Sequence, residues 1–135
     1  MSQSFDVRTS CFAFGSVVAA DVPLPLKYFP ASGGAVSLVE VYFTAATAGT
    51  LGTLYLLSGS CATGATLGTA ANCATLGTIG GDTDGTGGYA ALVPYKFVLE
   101  SPAVIPAGHW LAVSSNLAWN ELTNNIMSIA YVRGR

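Results

Sequence analysis

Apolar side chains in this chain recur at every second residue and almost nowhere at every third or fourth. Successive side chains of a strand point to opposite faces, so the pattern predicts strands and leaves no convincing helix. Over Tyr89 to Glu100, Val93, Tyr95, Phe97 and Leu99 alternate with Pro94, Lys96, Val98 and Glu100, which predicts one long strand. Proline cannot donate to a ladder, so Pro94 marks a bulge or an edge position. Residues 11–19 alternate Phe12, Phe14, Ser16 and Val18 with Ala13, Gly15 and Val17. Over residues 36–45, Val39, Val41 and Phe43 share one face and Leu38, Glu40 and Tyr42 the other. Both faces are largely apolar, as in a strand covered on two sides. After a turn at Ala48 to Thr50, residues 51–57 read as its partner, giving an expected apolar hairpin over 36–57.

Shorter elements complete the pattern. Leu24 to Phe29 is bracketed by Pro23, Pro25 and Pro30 and belongs at an edge or in a loop. Extended pieces are expected at 65–69, 74–79 and 109–115, and at 126–132 with Met127, Ile129 and Tyr131 on one side. Residues 80–88 read as a glycine-rich loop, and 116–125 as a polar loop or a single helical turn. Seven to nine short strands separated by turns predict an all-β, single-domain antiparallel β-sandwich of jelly-roll or immunoglobulin-like topology. No Trp lies between Cys11 and Cys73, and the immunoglobulin framework places one between its cysteines, so jelly-roll is favoured. The expected organisation is an N-terminal arm over 1–10 and a sandwich domain over 11–135, long enough to bury its own core.

Charge sets the second constraint. From Val41 to Gly81 there is no Lys, Arg, Asp or Glu, and only 9% of the whole chain is charged. About a quarter is usual, and a surface so poor in charge is weakly protected against self-association. The chain is therefore expected to be covered by other protein. Residues 41–57 read as core; residues 58–81, with few large side chains, read as the place where a neighbour packs, through Leu67 and Leu76. Phe5 in the arm and Trp119 in the polar stretch 116–125 are the other expected contact residues. Thr-Leu-Gly-Thr occurs at 50–53, 66–69 and 75–78, at a spacing too short and uneven for a solenoid.

Several function classes find little support. The five Lys and Arg residues are scattered, so no nucleic-acid footprint is expected. No run of about 18 apolar residues predicts a transmembrane helix, and no secretory signal pattern opens the sequence. Three cysteines, Cys11, Cys61 and Cys73, read as free thiols in a reducing compartment, although paired strands could bring Cys61 and Cys73 together.

Chemistry-bearing patterns are sparse. His109 is the sole histidine, and no Gly-x-Ser-x-Gly elbow occurs. Asp82-Thr83-Asp84-Gly85 resembles the opening of a calcium loop, but Val93 stands where the bidentate Glu belongs. Glu40, on an apolar strand, is the one candidate acid for glycoside chemistry, with Glu100, Glu121 or an Asp as partner. A phosphate-binding glycine loop needs a following helix, and here a strand follows. The expectation is therefore no enzyme, no metal and no cofactor. Trp110, Trp119, Tyr28, Tyr42, Tyr55, Tyr89, Tyr95 and Tyr131 could form a sugar-stacking platform; Trp119, together with Tyr89, is the expected exposed contact.

The segment from Pro102 to Val113, with Pro106-Ala107-Gly108 feeding the aromatic-led His109-Trp110-Leu111, resembles a strand–turn–strand phrase of β-sandwich virion proteins of tailed bacteriophages. The chain is also similar to them in being small, all-β, poor in charge and rich in Gly, Ala and Thr. The resemblance implies a capsid decoration (cement) protein, or a small tail or fibre component. It further implies a homo-oligomer, a trimer above all, partnered by a major capsid protein or other virion protein, without nucleic acid or membrane. Such a protein would be assembled in a host cytoplasm and located in the virion, with residues 2–10 as an arm reaching a neighbour.

Overall fold

The computed structural model describes residues 6–15, 22–46, 53–60, 73–79, 89–116 and 125–133. Among them ten strands follow in chain order: β1 (Arg8–Phe14), β2 (Leu24–Phe29), β3 (Val36–Thr44), β4 (Leu54–Gly59) and β5 (Ala74–Ile79), then β6 (Tyr95–Lys96), β7 (Val98–Leu99), β8 (Val104–Ile105), β9 (His109–Ser115) and β10 (Asn125–Arg133). They form two five-stranded sheets. Sheet A runs β1-β10-β3-β6, with β8 also on β3; sheet B runs β2-β9-β4-β5-β7. The named strands pair antiparallel throughout. The two sheets pack face to face: the Phe29 ring of β2 meets the Tyr131 ring of β10 edge-on at 5.6 Å. The fold is the all-β sandwich that the two-residue period predicts.

The core takes one side of each strand. Val36, Leu38, Val41, Phe43, Met127, Ile129 and Tyr131 from sheet A meet Phe29, Leu54, Leu56, Leu76, Leu111 and Val113 from sheet B, all buried in one cluster. Each such aliphatic or aromatic side chain contributes about 1.5–3 kcal/mol relative to exposure. Three pairings follow chain order counted from both ends, β1 with β10, β2 with β9 and β3 with β8, and β4 pairs with β5 in the middle of the chain. The chain thus doubles back on itself about the β4–β5 connection.

Four local expectations change. The hairpin over 36–57 does not form: β3 lies in sheet A and β4 in sheet B, where β4 pairs with β5 and β9. Apolar patterning marks both strands as core strands but does not say that they face each other across the sandwich instead of pairing. The sandwich also begins earlier than residue 11, because Arg8, Thr9 and Ser10 pair with Tyr131, Ala130 and Ile129. Residues 8–10 therefore belong to a strand and not to an arm.

The third change concerns the face of β3. Leu38 pairs with Tyr131 and Glu40 with Ala130, so Val39 is an extra, bulged residue. A bulge advances the alternation by one. Val36 and Leu38 point inward before it and Val41 and Phe43 after it, while Val39 is 48% exposed.

Fourth, the long strand over 89–100 is two short ones. β6 pairs with β3 in sheet A and β7 with β5 in sheet B, with Phe97 at the crossing. The Phe97 N–H donates to Val41 O of sheet A at 2.9 Å, and the Glu100 N–H donates to Leu76 O of sheet B at 2.7 Å. The alternation survives the change of sheet: Phe97 is buried, while Lys96 and Val98 are exposed. Gly77, in the third Thr-Leu-Gly-Thr copy, lets β7 close onto β5. A Cβ on it would lie 2.8 Å from Val98 O and 3.2 Å from Leu99 Cα.

Leu24 to Phe29 forms the edge strand β2, as its prolines require, with a bulge between Pro25 and Lys27. The strands at 74–79 and 109–115 fall where expected. Asn116 and Thr53 tie the ends of β9 and β4 together: the Thr53 N–H donates to Asn116 Oδ1 at 2.9 Å and the Asn116 N–H to Thr53 O at 3.3 Å.

Candidate interaction surface

The two outer faces of the sandwich differ. On sheet B, Leu57 and Ala112 point away from Leu56 and Leu111, yet they are 1% and 0% exposed. That face is closed to solvent at its centre. On sheet A the outward residues are open. Thr9, Cys11 and Ala13 of β1 sit opposite Ala130, Ser128 and Ile126 of β10, which sit opposite Glu40, Tyr42 and Thr44 of β3. Thr9, Cys11, Ala13, Glu40 and Ile126 are exposed.

Small side chains in the middle of this face leave a shallow depression of about 550 Å³. Thr9, Cys11, Glu40, Tyr42, Ser128 and Ala130 are among the residues that line it. The Ser128 hydroxyl lies 3.6 Å from Cys11 Sγ. Lys96 Nζ stands 3.9 Å from Glu40 Oε1, with both side chains about half exposed. A water-screened pair of this kind is worth about 0–1 kcal/mol and fixes little. Glu40 therefore lies on an open face beside a lysine, not in the apolar pocket that a glycosidase acid needs.

Exposed apolar residues also occur in the segment before β6 and in β7. Val98 is 75% exposed, Leu92 71% and Val93 41%. Leu92 has φ 61°, a left-handed conformation that costs a non-glycine residue of order 1 kcal/mol. Its N–H donates to Ala45 O at 2.7 Å, which holds the turn while the side chain stays in water.

Of the four expected contact residues, only Leu76 lies within the described residues, and it is 3% exposed, packed in the core. The bulge opposite Leu56 and Leu57 turns it inward. Leu76 is thus a folding residue, and the third repeat copy is a core strand. Phe5, Leu67 and Trp119 lie outside the described residues, as do Cys61 and the Asp82–Gly85 turn.

Tyr89, expected beside Trp119 as an exposed contact, is 3% exposed. It stacks edge-on against Phe43 at 5.4 Å and Tyr95 at 4.8 Å. Tyr28 and Trp110 do form an outward pair across β2 and β9, with centroids 5.3 Å apart and rings tilted by 47°. Tyr28 is 44% exposed. The sequence named both residues but gave no sign that they would be neighbours.

The described residues bring few reactive side chains together. Among the described residues no three His, Cys, Asp or Glu side chains come together. His109 Nδ1 is buried without a hydrogen-bond partner, so no described carboxylate orients this ring as a general base requires. Cys11 and Cys73 both carry thiols; Cys11 is exposed, and burial pushes the Cys73 thiol up.

Burial, and to a lesser degree the neighbouring Tyr95, holds the Tyr89 hydroxyl above the ordinary tyrosine range. Its Oη has no hydrogen-bond partner. The unfolded chain ionises this tyrosine near pH 10, while the folded chain keeps the proton. The contribution is whole below about pH 10 and is lost as pH rises beyond it. Tyr89→Phe should leave neutral stability unchanged or slightly raised, and should flatten the alkaline decline in urea-unfolding midpoints.

No family model and no curated protein matches this chain. Its function therefore rests on the residues and their arrangement.

Proposed function

We propose that the chain is a non-enzymatic structural protein of a virus particle, a capsid decoration (cement) subunit that stabilises a tailed-phage head by bridging neighbouring capsid proteins. The carrying observation is a sandwich poor in charge, at 9% of the chain, that still leaves Val98, Leu92, Val39 and Ile126 exposed. Such a surface gains free energy when another protein covers it. The pairing of strands from both chain ends toward the middle supports a jelly-roll reading over an immunoglobulin-like one. Jelly rolls serve both capsid and sugar-binding proteins, so this likeness of fold supports the reading only by analogy. The partner is a major capsid protein or other virion protein, with self-association alongside it.

A tail or fibre component, or a carbohydrate- or receptor-binding module, is the second reading. The outward Tyr28–Trp110 pair favours it. The 47° tilt keeps the rings from forming one flat platform for a sugar face.

The test uses capsid shells of the phage whose genome encodes the chain, prepared without it. Added protein should bind at saturable, regular occupancy and raise the temperature at which the shells rupture. Failure to bind, together with tryptophan fluorescence that responds to glycans, would replace the cement reading with the second one.

A further inference from the structure

We propose that β1 is a docking edge for a second copy of this chain, which pairs its own β1 antiparallel about a two-fold axis through Cys11. Edge strands normally carry a device against such pairing: a proline, a bulge, charge or short length. The other edges described here have one. β2 contains Pro25 and a bulge, and β6, β7 and β8 are two residues each. β1 has none. Its seven residues pair with β10 in an unbroken register, it contains no proline, and Arg8 at its first position is its one charge. No described strand pairs with its other side.

Phe12 packs against the core and is half-buried on this strand. An added strand would cover it further. The strand is also complementary to itself. Cys11 is the middle residue of β1, so pairing about it sets Thr9 against Ala13, Ser10 against Phe12, and Arg8 against Phe14 of the second copy. The charges end up far apart, and no like charges face each other. Thr9, Cys11 and Ala13 all point outward and are small, so the outer face of the joined sheets carries no bulky side chain at the junction. The result is one continuous sheet across two copies of sheet A, in an isologous contact. This pairing does not depend on the capsid reading and requires no other protein.

Cys11 supplies the test, because the axis places the two Cys11 side chains directly opposite at a distance a disulfide can span. Diamide takes the two thiol hydrogens and electrons, is reduced to the hydrazine, and leaves a Cys11–Cys11 disulfide. Light scattering on the full chain should give twice the 13.7 kDa monomer mass. Diamide should then yield a covalent dimer, which Cys11→Ser abolishes without dissociating the non-covalent one. Cys11→Lys sets two ammonium groups against each other and should weaken dimerisation about fivefold while circular dichroism keeps its β signal. A monomer at all concentrations would overturn the proposal. So would a dimer that diamide does not link through Cys11. Capsid binding by a chain that stays monomeric would overturn this pairing and leave the cement reading intact.

Discussion

Leu76→Asp is expected to unfold the domain rather than merely weaken its assembly. Leu76 is 3% exposed and belongs to the core cluster with Leu54, Leu56 and Leu111. Removing a buried leucine costs about 2–5 kcal/mol, and burying an unpaired carboxylate adds several more. The sum rivals the roughly 5–15 kcal/mol that hold a whole domain together. The control is Val98→Asp on the neighbouring strand β7, where the side chain is 75% exposed. That change should alter stability by no more than about 0.5 kcal/mol. Urea unfolding followed by tryptophan fluorescence separates them: a cooperative transition for Val98→Asp and none for Leu76→Asp. A folded Leu76→Asp variant would mean that residues 74–79 do not form the core strand described above.

Phe97→Ala should be the next most damaging change. Phe97 is 1% exposed and sits where the chain leaves sheet A for sheet B. Its ring fills the interior beside the crossing while its N–H stays bonded to Val41 O of sheet A. Phenylalanine-to-alanine changes in cores cost about 3–5 kcal/mol, which lowers the melting temperature of a domain this size by roughly 10 °C or more. Phe97→Leu should recover most of the loss, because it restores volume without changing the backbone. A calorimetric melt of the two variants checks both claims. Equal melting temperatures for Phe97→Ala and the unmodified chain would show that the crossing is not held by this side chain.

Strand positions were largely legible in the sequence because a two-residue period is local. Met127, Ile129 and Tyr131 alternate with smaller or polar residues and are buried together. The prolines around Leu24 to Phe29 forecast an edge because a missing N–H is a local fact. Pairing is not local. Nothing in residues 36–57 distinguishes a hairpin from two strands facing across a core, since both require the same apolar pattern. The bulge at Val39 was equally hidden, being a property of β3 and β10 together. The continuous alternation over 95–99 concealed the change of partner at Phe97 for the same reason.

The interaction surface was less legible than the fold. Low charge led to the expectation of a covered surface, but it gave no position. The uncharged run suggested Leu76, and its bulge took that residue inward. The open edge of β1 and the shallow face beside it come from an alternation that looked like an ordinary strand. What distinguishes β1 among the described edges is that it has neither a proline, a bulge nor a two-residue length. The Tyr28–Trp110 pair likewise depends on β2 lying beside β9.

The proposed virion role is tested most directly by quantitative mass spectrometry of any virus particles produced from the genome that encodes this chain, with and without its gene. A decoration subunit should appear in a fixed ratio to the major capsid protein, and particles lacking the gene should rupture at lower temperature. Particles that never contain the chain, and that keep their full thermal stability without its gene, would rule out the decoration role.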